Sequence, residues 1–264
     1  PKSSFITPEK RAKLRSNPVK VHFAEEVEVN GQSQQGNSLL FLPNVLKVYL
    51  ENGQTKAFKF ETSTTVKDIV MTLKEKLSLN RIEHFSLVLE QQHNSSKLLL
   101  LHEEERIHQV VQKKEVHNYR CLFRVCFMPK DFKTLLQEDP TAFEYLYLQG
   151  VNDVLQERYA VEMRCNTALR LAALHIQERL VSCGLSPKAN LKMIKTWGIE
   201  NFVSSTLLRN MREKDLRKAI GFHMKKTQSQ HDPKQKSVDQ ARINYLEELS
   251  DLKSFGGKSF GATL

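Results

Sequence analysis

The sequence lacks the long hydrophobic run that a membrane-spanning helix requires. Hydrophobic residues make up 40% of its 264 residues, yet no apolar run approaches the about 18 residues that cross a bilayer, and no signal peptide is recognisable. Cysteine is scarce as well, and the four cysteine residues lie in apolar segments with regular hydrophobic periodicity. Such positions favour reduced thiols over a disulfide framework. They are Cys121, Cys126, Cys165 and Cys183. We therefore expect a cytoplasmic protein.

Motifs for catalysis, nucleotide binding and metal binding are also missing. Residues 257–259 (GKS) resemble the end of a phosphate-binding loop, but the first glycine of that motif would fall at Leu252. Cys121 and Cys126, five residues apart, would point to opposite faces of a strand, and no second pair of close ligands accompanies them. No nucleophile has a catalytic motif around it. We expect a protein that is not an enzyme and that uses no cofactor or metal.

The chain has an excess of positive charge, with 40 Lys and Arg residues against 30 Asp and Glu residues and a net charge of +10. The excess is spread out except in one basic cluster, which only Glu213 and Asp215 oppose. The cluster consists of Arg209, Arg212, Lys214, Arg217, Lys218, Lys225 and Lys226. Nucleic-acid binding would require aromatic residues among the basic ones, so that bases could stack. Phe222 is the only aromatic residue there, and we expect no nucleic-acid partner.

The first half of the chain changes from a polar linker to a strand-rich lobe. Residues 1–43 are rich in Ser, Asn, Gln and Pro and are predicted to be a linker. From residue 44 apolar residues alternate, and Asn52-Gly53 between two such runs predicts a hairpin with a type I′ turn. A helix follows with Val66, Ile69, Val70, Leu73 and Leu77 on one face, and Ser63, Thr64 or Thr65 can cap it. With the later strands FSLVLEQ, KLLLL and YRCLFRVCF, residues 44–128 have the element order of a ubiquitin-like β-grasp.

Helical periodicity replaces the strand pattern after Met128-Pro129. Residues 129–253 are predicted to form a helical lobe whose later helices cover residues 191–197, 204–226 and 238–253. Phe255-Gly256 ends the last helix, because glycine readily takes a positive φ. Residues 254–264 begin a further segment. The fold class is therefore α+β, with a β-grasp lobe followed by a helical bundle.

Four strings in this arrangement resemble the FERM domain. They are FRVCFMPKD (123–131), AFEYLYLQGVNDVLQERY (142–159), LRLAALHIQ (169–177) and YLEELSDLKSFG (245–256). The chain is most similar to the FERM and PDZ domain-containing scaffolds. The resemblance implies a ubiquitin-like first lobe, a second lobe like acyl-CoA-binding protein, and a truncated third lobe at residues 254–264. Glu157 departs from the family, which usually has glycine there, so the local turn is expected to differ.

The resemblance implies a scaffold or adaptor that binds signalling or membrane-associated proteins and lies at the periphery of the plasma membrane. Phosphoinositide-bearing membranes are a further partner that it implies. For such a membrane the sequence offers the basic cluster, where each Lys or Arg near an anionic leaflet adds about 1 kcal/mol. The simpler interpretation of the cluster is a solvated helix face. The candidate membrane-binding residues are Arg209, Arg212, Arg217, Lys218, Lys225 and Lys226.

Two further sites rest on strand addition, in which an extended segment joins the edge of a sheet. Lys20, Val21 and Phe23 resemble the short motif by which many proteins dock on protein phosphatase 1, although this segment could equally pack on the chain's own β-grasp lobe. Lys56, Phe58 and Lys59 form a candidate edge for a small GTPase. The alternative for this edge is a solvated strand that its lysines keep soluble.

Overall fold

The computed structural model describes residues 21–23, 39–113, 118–186, 191–230 and 237–255. Lys20, most of the predicted linker, and residues 256–264 of the predicted third lobe lie outside the described residues. The described chain divides into two compact units between Leu146 and Tyr147. The predicted lobe boundary falls earlier in the sequence, at residues 128 and 129.

The first unit contains a mixed β-sheet with the β-grasp order that the sequence predicts. Its strands in the described residues are β1 (Val21–Phe23), β2 (Leu40–Leu42), β3 (Val45–Leu50), β4 (Thr55–Phe60), β5 (Phe85–Gln91), β6 (Asn94–Leu100) and β7 (Tyr119–Val125). They follow the spatial order β1-β4-β3-β7-β5-β6, and β2 pairs with β3. The central β3 and β7 strands run parallel, whereas the other pairs are antiparallel. Two strands, β1 and β2, therefore lie inside the segment predicted as a linker.

Helices cover this sheet and close its apolar core. They are α1 (Val66–Leu77), a 3₁₀ helix (Ile82–His84), α2 (Ile107–Lys113) and α3 (Phe132–Glu138). Of the three possible caps for α1, Thr65 is the residue used: its side chain accepts from Asp68 N–H, and the Asp68 carboxylate accepts from Thr65 N–H. The helix packs against β5, and Phe58, Ile69 and Phe123 are fully buried.

The predicted hairpin between β3 and β4 is present, but its turn is not type I′. A type I′ turn needs positive φ at both central residues, and within this loop only Gly53 has one, at 87°. Gly53 N–H donates to Leu50 O at 3.2 Å, and Leu50 N–H donates to Gln54 O at 2.8 Å. These bonds define a three-residue loop with glycine at a bulge. The Asn-Gly pair thus predicted the hairpin correctly and its turn type wrongly.

The second unit is helical. After α4 (Pro140–Leu155), which crosses the unit boundary, come α5 (Cys165–Ser182), α6 (Leu191–Trp197), α7 (Ser205–Asn210), α8 (Glu213–Gln230) and α9 (Val238–Ser250). The central helix α5 packs against α8 and α9. Ile176, Ile220 and Met224 are fully buried members of the core between these helices. None of the helices in the described ranges has both the length and the hydropathy of a membrane-spanning segment.

The predicted helix over residues 204–226 is two helices. The backbone at Met211 is extended, with φ −132° and ψ 143°, so α7 ends there and α8 begins at Glu213. Ser204 caps α7, because its hydroxyl accepts from Leu207 N–H at 3.5 Å. The apolar spacing also changes at the break, because Met211 and Leu216 are five residues apart rather than the three or four of a continuous helix face. The basic cluster is consequently divided between α7, the connection and α8.

Candidate functional site

The exposed side of α8 brings together three lysines and one phenylalanine. Burial of Leu216, Ile220 and Met224 against the unit's core fixes which side of the helix faces solvent. At about 100° per residue, the opposite side carries four residues within a sector of about 80° and a length of about 17 Å. They are Lys214, Lys218, Phe222 and Lys225, and all four are exposed. We call this set the α8 face.

The lysines of the α8 face have no ion-pair partner in the part of the chain that the structure describes. Lys214, Lys218 and Lys225 form no ion pair with any residue that the structure describes. The Phe222 side chain is 62% exposed, although a helix of this kind normally buries its aromatic residues. A row of lysines without ion pairs among the described residues, beside an exposed aromatic ring, suits an anionic partner that also has an apolar phase.

The arginines of the predicted basic cluster are engaged within the protein. Arg212 Nε lies 2.9 Å from Asp215 Oδ2, and Arg217 Nη1 lies 2.6 Å from Glu213 Oε1. Only 23% of the Arg217 side chain is exposed. Arg209 lies on α7, where its Nη2 donates to the Thr206 hydroxyl at 3.3 Å. The structure therefore separates these arginines from the lysines with which the sequence analysis grouped them.

His223 and Lys226 lie on one flank of the α8 face. Burial lowers the pKa of His223, and the neighbouring Arg170 and Lys226 lower it further, against the opposing effect of Glu248. Arg170 Nε pairs with Glu248 Oε1 at 2.6 Å. Lys226 is exposed. Lys226 therefore adds one exposed positive charge on this flank of α8.

The two predicted strand-addition sites meet in one ladder. Backbone pairs join Val21 to Phe60, His22 to Lys59 and Phe23 to Phe58, in antiparallel register. The edge predicted to be open to a GTPase is thus covered at residues 58–60, and Phe58 is fully buried in the core, which corrects that interpretation. Lys56 lies beyond the three paired residues. The phosphatase-like motif is itself a strand of the sheet, as its simpler alternative proposed, while its Lys20 lies outside the described residues.

The turn at Glu157 keeps the form that glycine would give it. Glu157 has φ +60°, and the bonds from Glu157 N–H to Val154 O (3.2 Å) and from Arg158 N–H to Asp153 O (3.0 Å) are those of a Schellman motif. The expectation of a different turn is therefore wrong. The side chain has gained a contact instead: Glu157 Oε1 accepts from Thr206 N–H at 3.1 Å, at the start of α7. The pKa of Glu157 is lowered, chiefly by a hydrogen bond from the Thr206 side chain and to a lesser degree by this bond from Thr206 N–H.

Sequence reasoning did not assign Phe222 to a site. Its signal was available in the spacing, because positions 214, 218, 222 and 225 recur every three or four residues and so share a helix face. The sequence analysis instead treated the seven basic residues as one cluster and did not sort them by their positions around the helix. The buried thiols offer no competing chemistry, since burial raises the pKa of Cys121 and of Cys126 to about 12.

Comparison with known proteins agrees with this two-unit architecture. The FERM central domain family matches residues 133–260, and the RA-like domain family matches residues 42–126. The chain carries the first two lobes of a FERM domain. It is 66% identical over its whole length to FERM and PDZ domain-containing protein 1 from Homo sapiens and, equally, from Mus musculus. The chain spans 17% of the length of these relatives.

Solved FERM structures share the fold at low sequence identity. The Dictyostelium discoideum myosin VII MyTH4-FERM MF2 domain is 15% identical with a TM-score of 0.61, over 80% of this chain and 42% of that one. The FERM domain in the complex of Drosophila Merlin with its C-terminal domain is 17% identical with a TM-score of 0.53, over 80% of this chain and 66% of that one. Both support the α+β fold of two FERM lobes.

Proposed function

We propose that this chain is the FERM region of a non-catalytic scaffold that holds signalling proteins at the cytoplasmic side of the plasma membrane. The 66% identity to FERM and PDZ domain-containing proteins supports the scaffold role, because both named modules bind other molecules rather than transform them. The observation that carries the membrane role is the α8 face, where an exposed phenylalanine lies beside three lysines that form no ion pair with any described residue. In this proposal the second lobe contacts lipid and leaves other surfaces to protein partners.

The charge of the α8 face suits reversible binding. A lysine close to an anionic leaflet contributes about 1 kcal/mol, so that Lys214, Lys218 and Lys225 together contribute about 3 kcal/mol. Lys226, on the flank, adds to the same field. Such an energy is too small for permanent attachment but large enough for recruitment when a protein partner at the membrane adds a second contact. Salt should weaken it, because the lysines are exposed.

Co-sedimentation of the 264-residue chain with lipid vesicles tests this proposal. Binding is expected with phosphatidylserine vesicles and stronger still when phosphoinositide supplies part of the charge, but not with neutral phosphatidylcholine vesicles. Replacing Lys214, Lys218 and Lys225 together by Gln should weaken binding by about 100-fold, from the loss of about 3 kcal/mol. No binding to either anionic vesicle would contradict the membrane role.

A matched triple variant separates a defined surface from overall charge. Lys67, Lys97 and Lys133 are exposed in the first unit, so their replacement by Gln changes the net charge equally. This variant should bind like the unchanged protein. An equal loss in both triple variants would show that the chain is attracted only by its net charge of +10, and the α8 face would lose its assigned role.

A further inference from the structure

We propose that Phe222 inserts its ring into the membrane interface, so that the α8 face binds lipid by an apolar contact as well as by charge. This inference rests on the membrane role proposed above and specifies how the same surface works. The ligand it assigns to Phe222 is the boundary between headgroups and acyl chains of an anionic bilayer. The lysines would then hold α8 parallel to the surface while the ring enters it.

The position of Phe222 within the α8 face supports insertion. Counting about 100° per residue, Phe222 is opposite the buried stripe of Leu216, Ile220 and Met224. Lys218 and Lys225 lie on one side of it and Lys226 on the other, and all three are exposed. A helix lying with this side towards a membrane would therefore place the ring deepest and the ammonium groups at headgroup level. This is the arrangement of an interfacial amphipathic helix, in which lysine stems extend along the apolar surface.

The rest of α8 shows why a phenylalanine here is unexpected without a partner. The helix already buries its own apolar side in the core of the second unit, so Phe222 contributes nothing to that core and leaves 62% of its surface in water. Its ring contacts that of the neighbouring His223, with ring centroids 5.4 Å apart. A bilayer interface would remove the exposed ring from water, and the surrounding lysines select an anionic one.

Replacement of Phe222 by Ser tests the apolar contribution. Binding to phosphatidylserine vesicles should weaken by about tenfold, from the loss of most of a buried phenylalanine side chain. The loss should persist at high salt, where the lysine contribution is screened. It should also be larger with small vesicles, whose curvature exposes more of the acyl region. Phe127→Ser is the matched control, because Phe127 is 52% exposed but lies in the first unit, and this variant should bind like the unchanged protein.

A tryptophan placed at the same position reports the depth of insertion. In Phe222→Trp, vesicles should shift the emission to shorter wavelength, and brominated lipids should quench it. In Phe127→Trp neither change should occur. If the partner of the α8 face is instead an acidic protein, adding vesicles should not change the emission of Phe222→Trp. That result would overturn insertion.

The outcomes of these experiments distinguish the insertion of Phe222 from the membrane role on which it rests. If the unchanged chain fails to bind anionic vesicles, the membrane role and the insertion are both wrong. The membrane role holds and insertion is wrong if the unchanged chain binds, the lysine triple variant binds more weakly, and Phe222→Ser binds as tightly as the unchanged chain at every salt concentration. Insertion is supported only if binding depends on Phe222, the loss survives high salt, and the tryptophan at 222 is quenched by brominated lipid.

Discussion

At the scale of single residues, Glu157 combines a strained backbone conformation with a stabilising side-chain hydrogen bond. Left-handed backbone costs a non-glycine residue about 1–2 kcal/mol, and Glu157 adopts it with φ +60°. In return, its carboxylate accepts a hydrogen bond from Thr206 N–H at the start of α7, where the helix dipole favours negative charge. The two effects have similar size, so the exchange is close to neutral for stability.

Substitutions of Glu157 by Gly and by Ala should therefore have different effects. Glu157→Gly loses the hydrogen bond but removes the strain of the left-handed backbone. Its free energy of unfolding should stay within about 0.5 kcal/mol of that of the unchanged protein. Glu157→Ala loses the hydrogen bond and keeps the strain, so it should be about 1 kcal/mol less stable. Urea unfolding followed by the fluorescence of Trp197, which lies in the same unit, measures both. Equal stabilities for the two variants would show that the backbone at 157 stores no strain.

At the scale of elements, β1 decides whether the sheet has an open edge beside β4. Phe60 N–H donates to Asn44 O, on the side of β3. Because N–H groups alternate along a strand, the Lys59 N–H points the other way, towards His22 in β1. The amide of Lys59 is therefore a reporter for β1, while the amide of Phe58 reports the pairing with β3.

Proline at position 22 should detach this strand. Proline lacks the N–H that a ladder needs and disfavours pairing within a strand. In His22→Pro, hydrogen exchange at Lys59 should accelerate by at least about tenfold, whereas exchange at Phe58 should stay slow. Unchanged exchange at Lys59 would mean that β1 does not protect β4. In that case the edge would be open to a GTPase, and the Val21–Phe23 segment would be free for a phosphatase.

Elements could be predicted from the sequence where their determinants are local, and not where they depend on distant residues. The Thr65–Asp68 capping box and the buried stripe of α1 lie within one stretch of sequence, and the sequence analysis found the helix and named its cap among three options. By contrast, the buried Asp139 accepts from Asn80 N–H at 2.7 Å and Arg81 N–H at 2.8 Å, almost 60 residues away. No spacing pattern encodes such a contact. The α8 face was missed for a different reason: its spacing is local, but the sequence analysis grouped all the basic residues of the cluster without sorting them by helix face.

At the scale of the whole molecule, the two units should respond differently to acid. His175, in the second unit, lies among aromatic rings, with its centroid 4.8 Å from that of Phe202 and 6.2 Å from that of Tyr245. Burial, aided by Arg179, lowers the pKa of His175 from 6.5 to about 4. Between these values the unfolded chain binds a proton that the folded chain does not, so stability falls as the pH falls from 6.5 towards 4. In the first unit, the pKa of Glu83 and that of Asp131 are lowered from ordinary values of 4.5 and 3.8, so these carboxyl groups act at lower pH.

The second unit should consequently lose about 2 kcal/mol of stability between pH 7 and pH 5 through His175 alone. Trp197 is the only tryptophan of the chain and lies in this unit, so the urea midpoint of its fluorescence reports the loss. In His175→Phe, which keeps an aromatic ring but cannot take up a proton, most of the loss should disappear.

His93→Phe, an exposed control in the first unit, should lose stability like the unchanged protein. Hydrogen exchange of the buried Leu87 and Phe123 amides, corrected for intrinsic rate, should show no matching loss in the first unit. An equal decline in both units, or in His175→Phe and the unchanged protein, would place the acid sensitivity elsewhere.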